Sequence, residues 1–425
     1  MNWHTVDPNL PTLPFVFDDK AVQQQFTQQK SPSDMVTAWP TAVTKCRRQD
    51  VQYIPATRCV TTYAMTMEQA GAAPAQSIGV VEATPNGVNH RWFTADPQLP
   101  GMATAGDSTA MRKRLVDLRR QRGQKGVVDR CTVTPLRYKS NSRCALRYDL
   151  YTAQQQVSCF GKVLAHDGAQ LMQTITALYQ ASQQDLELPR IAEPLVYWPD
   201  LHLLLQAAVK GVELHTAAFD TQIATTTRLD WLRKAGRCSA ALHSHNGPVC
   251  RTLPQAPRTF GADLLELSNY SPALRQINPA LASRFTAAIA AMQTATRNQP
   301  ELDAVITHGA LRTDQFLIND PQLVLIDLDG IGLASPARDL GNLLAYLTWK
   351  ALRQPQHAAF IQAGQRAFLA GYSTLCELPS AEWLTFYQAA SLLKIIGRRY
   401  TGLTYQEWPL TEVLLDVAMG MVSIA

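Results

Sequence analysis

Two apolar runs in the second half of the chain would bring an amide and a carboxylate together. The runs are residues 316–318 and 324–326, and the polar segment between them, which contains Pro321, has the residue types of a tight turn. We expect the two runs to pair as a β-hairpin. Pairing that is symmetric about Pro321 sets Gln315 opposite Asp327, at the open end of the hairpin.

The open end of this hairpin would lie beside the loop formed by residues 308–314. A carboxylate and an amide carbonyl on a rigid hairpin can hold Mg²⁺, which prefers oxygen ligands and keeps waters and substrate phosphates as its other ligands. A single aspartate at the end of a strand is otherwise a turn cap. The metal interpretation therefore depends on the whole arrangement and not on Asp327 alone.

Three segments match a known pattern in order and in spacing. They are HGALRTDQFL (308–317), IDLD (326–329) and PARDL (336–340). Together they resemble the aminoglycoside phosphotransferase and choline-kinase-like family, whose pattern is H-G-D, four residues, N, a hairpin to I-D-[WFL]-[DE], and then P-x-x-D-L. The resemblance spans residues 133–400 approximately. It implies an α+β, bilobal protein-kinase-like fold with a small β-rich N-lobe and a larger helical C-lobe.

The resemblance also implies ATP and Mg²⁺ as cofactors, if binding is retained. Asp327 matches the aspartate that binds the metal on the nucleotide phosphates, and Asp329 is a second metal contact. Lys162 matches the strand lysine that grips the α- and β-phosphates. Gln206 and Ala208 lie in the segment that matches the hinge, whose backbone would meet the adenine ring.

Other matched positions belong to the catalytic loop. The resemblance implies that His308 braces this loop by packing and that Asp339 braces it by accepting its backbone N–H groups. The catalytic aspartate of the family falls on Ala310, which has no proton acceptor, so Asp314 or a water would have to replace it. The metal-binding asparagine falls on Gln315, a longer amide that still offers a carbonyl oxygen.

The N-lobe departs from the family pattern as well. No glutamate lies in the helical run at residues 169–183 to pair with Lys162, and Gln170 and Gln173 are the polar stand-ins. The turn at residues 139–142 has no glycine where a phosphate-covering loop would lie. These losses favour a pseudokinase that acts through nucleotide or partner binding.

An active enzyme is the alternative. General-base assistance typically contributes ~10²–10⁴-fold, and phosphoryl transfer relies mostly on positioning and charge neutralisation. The chain would then be an ATP-dependent kinase for a hydroxyl of a small molecule such as an aminoglycoside, choline or a sugar. The pocket for that acceptor would be built from the helical lobe, and the sequence does not identify the acceptor.

Two further polar features have a structural and a functional interpretation. His243 and His245 follow an alanine-rich helical run, so a packed or capping role for His243 is favoured over a metal-binding pair. Arg398 and Arg399 on a late helix could meet an acidic substrate, although surface ion pairs are the commoner role of such residues.

The composition is that of a globular chain with more than one packing unit. The 425 residues exceed the roughly 250–300 at which one hydrophobic core stops growing. Hydrophobic residues make up 46% of the chain and charged residues 17%, which excludes a disordered protein. The net charge of +5 suits polyanionic ligands such as nucleotides without requiring nucleic acid.

The eight cysteines are scattered, with no C-x-x-C pair and no His/Cys cluster at zinc spacing. We expect reduced thiols, with Cys59 and Cys144 as core residues and not nucleophiles. No segment approaches the ~18–20 apolar residues of a membrane span, and residues 1–30 lack the pattern of a signal peptide. The sequence therefore predicts a cytoplasmic protein that has no membrane partner.

The elements that would position the site fall into three parts. Residues 1–130 are expected to form an N-terminal extension, residues 131–207 the kinase-like N-lobe, and residues 208–425 the helical C-lobe. Within the extension, residues 1–45 are rich in Pro, Gln, Thr and Asp and are expected to wrap over the surface without forming a core.

A weak internal repeat links the extension to the N-lobe. Tyr53, Arg58, Cys59 and Tyr63 recur with the same spacing as Tyr138, Arg143, Cys144 and Tyr148. The repeat predicts a duplicated β-hairpin, and chance similarity between two unrelated hairpins is an equal alternative.

A basic helical segment at residues 111–125 lies between the two copies. It carries seven Lys and Arg residues and could contact nucleic acid or an acidic partner. A solvated helix face is favoured, because no aromatic residues interleave to stack bases. Nucleic-acid binding is therefore the third and weakest functional hypothesis.

Overall fold

The computed structural model describes residues 3–28, 42–68, 74–300 and 303–424. The chain forms two compact units, Met1–Met172 with Pro194–Ala208, and Gln173–Glu193 with Val209–Ala425. The expected extension thus shares a unit with most of the expected N-lobe, whereas residues 173–193 of that lobe belong to the second unit. The first unit is rich in β structure and the second is mostly helical, as the sequence predicts.

The elements are numbered in chain order. The strands are β1 (Ala42–Ile54), β2 (Arg58–Glu68), β3 (Ala75–Thr84), β4 (Gly87–Trp92), β5 (Val128–Lys139), β6 (Arg143–Thr152), β7 (Gln156–Leu164), β8 (Arg190–Ile191), β9 (Pro194–Trp198), β10 (Leu203–Ala207), β11 (Val212–Glu213), β12 (Val305–Thr307), β13 (Phe316–Asn319), β14 (Gln322–Leu325) and β15 (Gly332–Ala334). The α-helices are α1 (Trp3–Val6), α2 (Asp19–Gln28), α3 (Met102–Ala105), α4 (Ser108–Gln121), α5 (Ala169–Gln184), α6 (Leu214–Phe219), α7 (Thr225–Ser244), α8 (Phe260–Ser268), α9 (Ser271–Ile277), α10 (Pro279–Thr296), α11 (Pro336–Arg353), α12 (Ala358–Tyr372), α13 (Ala381–Thr401) and α14 (Trp408–Ile424). Short 3-10 helices include Leu13–Phe17, Thr313–Gln315 and Leu328–Gly330.

The first unit holds two antiparallel sheets. One is four-stranded in the order β1-β2-β3-β4, and the other is five-stranded in the order β5-β6-β7-β10-β9. Alternate side chains of β6, at Cys144, Leu146 and Tyr148, are fully buried, as expected for a strand with one face on a core. One hydrophobic cluster contains residues from both sheets and from helices α3 and α4.

The two hairpins of the predicted repeat have the same register. Tyr53 pairs with Cys59 in the β1-β2 hairpin, and Tyr138 pairs with Cys144 in the β5-β6 hairpin. Both cysteines and both tyrosines are buried. The equivalent residues therefore occupy equivalent places in space, and not only in the sequence.

A buried carboxylate holds the turn of the first hairpin. Asp7 Oδ2 accepts a hydrogen bond from the Tyr53 hydroxyl at 2.8 Å and another from the Ala56 backbone N–H at 2.7 Å. Asp7 is fully buried, and Ala56 has the left-handed φ of 55°. The carboxylate thus stabilises a turn conformation that alanine seldom adopts.

A buried carboxylate holds the turn of the second hairpin in the same way. Asp96 Oδ2 accepts hydrogen bonds from the Tyr138 hydroxyl and, at 2.9 Å, from the Asn141 N–H. Asn141 has a φ of 58°, and Asp96 is buried. Register, turn conformation and buried carboxylate all recur, so the structure favours duplication over chance similarity.

The duplication also extends to a segment before each hairpin. Residues 3–11 (WHTVDPNLP) and 92–100 (WFTADPQLP) are identical at six of nine positions. The expectation that residues 1–45 lack a core is wrong for the described part of this segment, because Leu10, Leu13 and Val16 are fully buried. Their apolar side chains pack into the core of the first copy of the repeat, and the equivalent residues do the same in the second copy.

The basic segment at residues 111–125 contains most of helix α4, and its arginines make contacts within the first unit. Arg112 Nε donates to the Val128 carbonyl oxygen at 2.9 Å, and Arg114 forms an ion pair with Asp200. Two of the seven basic residues are thus used within the unit, which favours a structural role for these two, while nucleic-acid binding by the segment stays a prediction.

The cysteines are free thiols, as the sequence predicts. Burial raises the pKa of Cys59 to about 12, and burial also raises the pKa of Cys144 far above its ordinary value. A thiol that stays protonated at neutral pH is a poor nucleophile. The two repeated cysteines are therefore core residues.

The second unit carries a small sheet on a helical body. Its strands are ordered β11-β13-β14-β8, and a separate pair joins β12 with β15. The side chains that fill the helical core include Phe260, Phe285, Phe368 and Phe386. Within the described ranges, none of the helices combines the length and the apolar character that a membrane crossing requires.

Replacing Asp96 with alanine should lower the free energy of unfolding by about 2–4 kcal/mol, because the Tyr138 hydroxyl and the Asn141 N–H lose a charged acceptor. Chemical denaturation followed by circular dichroism measures the change. The control is Asp117→Ala on helix α4, whose side chain is 50% exposed and whose loss should cost under ~1 kcal/mol. Equal effects of the two substitutions would contradict the structural role of Asp96.

Candidate functional site

The hairpin that carries the candidate site is formed by β13 and β14. Its strands pair around a two-residue loop, Asp320 and Pro321. The predicted register is therefore wrong by one residue: Ile326, and not Asp327, lies opposite Gln315 and donates its N–H to the Gln315 carbonyl oxygen at 2.9 Å. The error arises because the pairing is centred between Asp320 and Pro321 and not on Pro321.

Asp339 on α11 holds the loop that precedes β13. Its Oδ2 accepts a hydrogen bond from the His308 N–H at 2.6 Å, and its Oδ1 accepts one from the Gly309 N–H at 2.9 Å. The residue is fully buried. Two successive N–H groups bound by one carboxylate fix the path of the loop, and these are the contacts that the resemblance assigns to Asp339.

A second layer of contacts supports this carboxylate. His243 Nε2 lies 3.3 Å from Asp339 Oδ2, and His243 Nδ1 lies 3.0 Å from the Tyr372 hydroxyl. Burial alone would raise the pKa of Asp339, but the hydrogen bond and charge of His243, with the charges of His308 and Arg338, hold that pKa below its ordinary value. Asp339 is therefore a carboxylate at neutral pH, and His243 has a packed structural role.

Gly309 occupies a position that accepts only glycine without strain. Its φ is +82°, and a Cβ atom added there would lie 2.0 Å from the Gly330 carbonyl oxygen. His308 beside it is fully buried and its Nε2 lies 2.9 Å from the Ile326 carbonyl oxygen. The loop is thus fixed against the chain that follows the hairpin as well as by Asp339.

Ala310, which stands where the family has its catalytic aspartate, is exposed on this fixed loop. Asp314, the proposed substitute base, is held by Arg312 through two bonds: Nε to Oδ1 at 2.9 Å and Nη2 to Oδ2 at 3.0 Å. Both carboxylate oxygens are occupied by this bidentate pair. Accepting a proton from a substrate hydroxyl would neutralise the carboxylate and so weaken its two charge-assisted bonds to Arg312.

Gln315 is buried, with 3% of its surface exposed. Its Oε1 accepts the backbone N–H of Arg312 at 2.9 Å and closes the turn of the 3-10 helix Thr313–Gln315. The oxygen expected to bind a metal ion is therefore already hydrogen-bonded to the loop. Metal binding by Gln315 stays a prediction.

Asp327 and Asp329 lie directly after the hairpin. Asp327 is exposed with a left-handed φ of 62°, and Asp329 is half-buried in the 3-10 helix Leu328–Gly330. In the part of the chain that the structure describes, no three His, Cys, Asp or Glu residues form a group that could bind a metal ion. Two carboxylates still suit Mg²⁺ that is also bound by nucleotide phosphates, because Mg²⁺ usually takes one or two carboxylates.

Lys162 lies in the middle of β7 in the first unit, opposite Ala145 of β6 and Leu204 of β10. In the duplicated module the equivalent position of β3 is Glu82, which forms an ion pair with Arg58 at 3.4 Å. The lysine is therefore present in the second copy and replaced by an acid in the first. The first copy has no basic residue at this position that could bind a phosphate.

The expected hinge residues follow on β10. Gln206 pairs with Phe160 of β7, and the Ala208 N–H donates to the Ser158 carbonyl oxygen at 3.3 Å. Ala208 is exposed. Contact of this segment with an adenine ring stays a prediction.

An ionic network that the sequence analysis did not identify lies next to the loop. Arg338 Nε donates to Asp263 Oδ2 at 2.8 Å, and Arg258 Nε donates to Asp263 Oδ1 at 2.9 Å. Arg258 also bonds to Glu266 at 2.6 Å. Arg338 and Asp263 are 75 positions apart in the chain, so no local pattern could have paired them.

A protein-family model supports the kinase-like character of this part of the chain. The model described as the phosphotransferase enzyme family matches residues 157–378, slightly more than half of the chain. The match includes Lys162, the loop with Ala310, both acidic residues after the hairpin, and Asp339. No curated protein sequence is significantly similar to the chain.

Three solved structures share the fold at low sequence identity. A candidate aminoglycoside phosphotransferase from Ralstonia eutropha JMP134 aligns over 74% of this chain and 98% of its own, with 13% identity and a TM-score of 0.54. An amicoumacin kinase in complex with AMP-PNP, Ca²⁺ and Ami aligns over 68% and 88%, with 14% identity and a TM-score of 0.50. A microcompartment-associated aminopropanol kinase aligns over 72% and 95%, with 14% identity and a TM-score of 0.50. These likenesses show the protein-kinase-like fold.

Asp339→Asn should lower the free energy of unfolding by about 3 kcal/mol or more at neutral pH, because two buried N–H groups and His243 lose a charged acceptor. Since folding lowers the pKa of Asp339, the contribution of its carboxylate is fully present above about pH 4 and is lost as the pH falls further. Denaturation at a series of pH values should show the two proteins converging in acid.

The matched control is Asp230→Asn, since Asp230 is 49% exposed and forms a surface ion pair with Lys234. Its effect should stay under ~1 kcal/mol at every pH. A stability difference for Asp339→Asn that does not shrink in acid would contradict the assignment of a charged Asp339.

Gly309→Ala should lower the free energy of unfolding by at least about 1–3 kcal/mol, because alanine is strained at a φ of +82° and its Cβ would collide with the Gly330 carbonyl oxygen. Thermal and chemical denaturation measure this loss. Gly420→Ala on α14 is the control, because no heavy atom lies within 4 Å of a Cβ there and the change should be neutral or stabilising. A neutral Gly309→Ala variant would show that the loop does not have this conformation.

Proposed function

This chain belongs to the phosphotransferase enzyme family, and on that premise we propose that it is a catalytically impaired member that keeps a nucleotide pocket. In this proposal it acts as a pseudokinase, through a bound nucleotide or through a partner, and not by rapid phosphoryl transfer. The partner and a cytoplasmic location remain predictions.

One observation carries the proposal: the loop on which the catalytic base would lie is held in a fixed conformation, but it has alanine at the position of the base. Asp339 binds two N–H groups of the loop, and Gly309 and His308 fix its path. Ala310, which directly follows Gly309 in this loop, is exposed. Its methyl group cannot accept a proton from a hydroxyl.

The neighbouring carboxylate gives little compensation. Asp314 is held by Arg312 through both carboxylate oxygens, and its side chain remains 43% exposed. Proton transfer to Asp314 would neutralise it and weaken its charge-assisted bonds to Arg312. This supports slow turnover over efficient catalysis by a substitute base.

ATP and Mg²⁺ are the cofactors that we propose for the retained pocket. Lys162 would contact the nucleotide phosphates, and Asp327 and Asp329 would hold the metal ion. Bound Mg²⁺ would neutralise phosphate charge. In this arrangement Gln315 orders the loop through Arg312 and contributes to the site by positioning.

An active ATP-dependent kinase for a hydroxyl of a small molecule is the second candidate. The intact support of the loop favours it, because phosphoryl transfer depends mostly on positioning and charge neutralisation. Loss of a general base would slow such an enzyme by ~10²–10⁴-fold without abolishing its activity. Solved relatives that are named as kinases for amicoumacin and aminopropanol are consistent with this candidate.

Ala310→Asp should raise the rate of ATP turnover by ~10²–10⁴-fold, because it returns a proton acceptor to an exposed position on a fixed loop. A coupled assay for ADP release, with water as acceptor, measures the rate. The matched control is Ala310→Asn, which has nearly the same shape but no basic carboxylate and should give no gain. Asp327→Asn combined with Ala310→Asp should remove the gain.

Two results would contradict the proposal. Rapid turnover by the natural chain would show that Ala310 does not impair catalysis and would establish the active kinase. An absence of any gain in Ala310→Asp, although the variant binds Mg²⁺-ATP, would show that the missing base does not limit the rate.

A further inference from the structure

Five basic side chains form a surface on the second unit, which we call the cationic face. Its members are Arg312 of the loop, Lys350 and Arg353 of α11, and Arg398 and Arg399 of α13. Helix α11 contributes Tyr346, Trp349, Lys350 and Arg353, whose spacing of three, four and seven residues places them on one side of the helix. Helix geometry therefore places the α11 residues of the cationic face next to one another.

The cationic face begins at the loop that carries Ala310. Asn342, one turn before Tyr346 on α11, donates its Nδ2 hydrogen to the Leu311 carbonyl oxygen at 2.8 Å. Arg312 follows this contact, and its guanidinium carbon lies 5.1 Å from the centre of the Tyr346 ring. The charges thus start two residues after the position where the family has its catalytic base.

Tyr346 lies between two guanidinium groups. Arg398 Nη1 donates to the Tyr346 hydroxyl at 2.8 Å, while Arg312 packs over the ring. Burial alone would raise the pKa of Tyr346, but the charges of Arg398 and Arg312 outweigh it and lower the pKa. The direction of this pKa shift follows from the guanidinium groups that contact the Tyr346 ring and hydroxyl.

Lys350 and His215 form a second crowded pair. Lys350 Nζ lies 3.2 Å from His215 Nε2, and Thr313 Oγ1 lies 2.9 Å from His215 Nδ1. Burial and the charge of Lys350 lower the pKa of His215, and burial and the charge of Arg353 lower the pKa of Lys350. Burial and the neighbouring positive charges therefore both disfavour protonation of these two groups.

The balance of charge on the cationic face is positive. In the described ranges, its ion pairs join Arg312 to Asp314, and both Arg353 and Arg399 to Glu407. Two carboxylates thus face five basic side chains, which leaves three positive charges. An ordinary surface of alternating ion pairs would leave none.

We infer that the cationic face binds the anionic group of a small organic acid, as a carboxylate or a phosphate, beside the loop that carries Ala310. The inference rests on the proposed function and narrows its ligand: the molecule that the helical unit receives is an acid and not a cationic amine. Arg312, Lys350 and Arg398 would contact the anion, and the Arg353–Glu407–Arg399 ion pairs would hold the edge of the face. Charge-assisted bonds from guanidinium groups are suited to both kinds of anion.

The test is isothermal titration calorimetry with two probes, malonate and inorganic phosphate, on the full chain. Arg398→Gln and Lys350→Gln should each weaken binding of both probes by at least about tenfold, the loss expected from one charge-assisted hydrogen bond. Arg398→Lys should recover part of the affinity for malonate, because it keeps the charge. Binding to the natural chain should weaken as NaCl is added.

Two further variants make the test specific. Arg284→Gln removes an arginine whose side chain is 43% exposed and that pairs with Asp416 on another part of the unit, and it should leave both affinities unchanged. Lys162→Ala removes the lysine assigned to nucleotide phosphates, and it should also leave malonate binding unchanged. Loss of phosphate binding in Lys162→Ala, with full binding in Arg398→Gln, would overturn the inference because the probe would be occupying the nucleotide pocket.

Failure of the inference can be told from failure of the proposed function. Suppose that the natural chain binds Mg²⁺-ATP but that Arg398→Gln and Lys350→Gln do not weaken its binding of malonate or of phosphate. The cationic face is then not an anion site, and the proposed function stands. If both probes bind as predicted while Mg²⁺-ATP does not bind, the inferred anion contact stands and the nucleotide pocket is lost.

Discussion

The buried carboxylate of Asp339 is the interaction on which the rest of the site depends. It accepts the N–H groups of His308 and Gly309, and it lies against His243, so it ties α7 and α11 to a loop that has little secondary structure of its own. A buried charge is tolerated only when it is fully hydrogen-bonded, and these contacts meet that condition. Because the loop is fixed, the residue at position 310 has a defined place whether or not it can do chemistry.

The same solution occurs in the duplicated hairpins. Asp7 and Asp96 are also buried carboxylates, and each accepts a backbone N–H from a turn and the hydroxyl of a tyrosine. In all three places one acid satisfies several donors that an irregular stretch of chain would leave without partners. The aspartates that support the loops are therefore present, whereas Ala310 occupies the position proposed for the catalytic base and Glu82 occupies the position equivalent to Lys162 in the first copy of the repeat.

The kinase-like fold class could be predicted from the resemblance of three motifs to a known family, and the pairing of residues 316–325 from apolar runs around a turn. The hairpin register could not, because it depends on whether the loop has two residues or three, and this moved Ile326 into the place expected for Asp327. Contacts such as Arg338 with Asp263 join distant segments and leave no local pattern. The segment 3–11, which contains the buried Asp7 and Leu10, did leave a signal, since its sequence recurs at 92–100.

In the proposed function, the fixed loop accompanies a working nucleotide pocket in a chain without a catalytic base. Calorimetric titration of Mg²⁺-AMP-PNP into the natural chain tests it most directly, with Asp327→Asn as the site variant and Asp200→Asn, in the first unit, as a control. We expect saturable binding that Asp327→Asn weakens and Asp200→Asn does not. An absence of binding by the folded natural chain, or equal binding by Asp327→Asn, would contradict it.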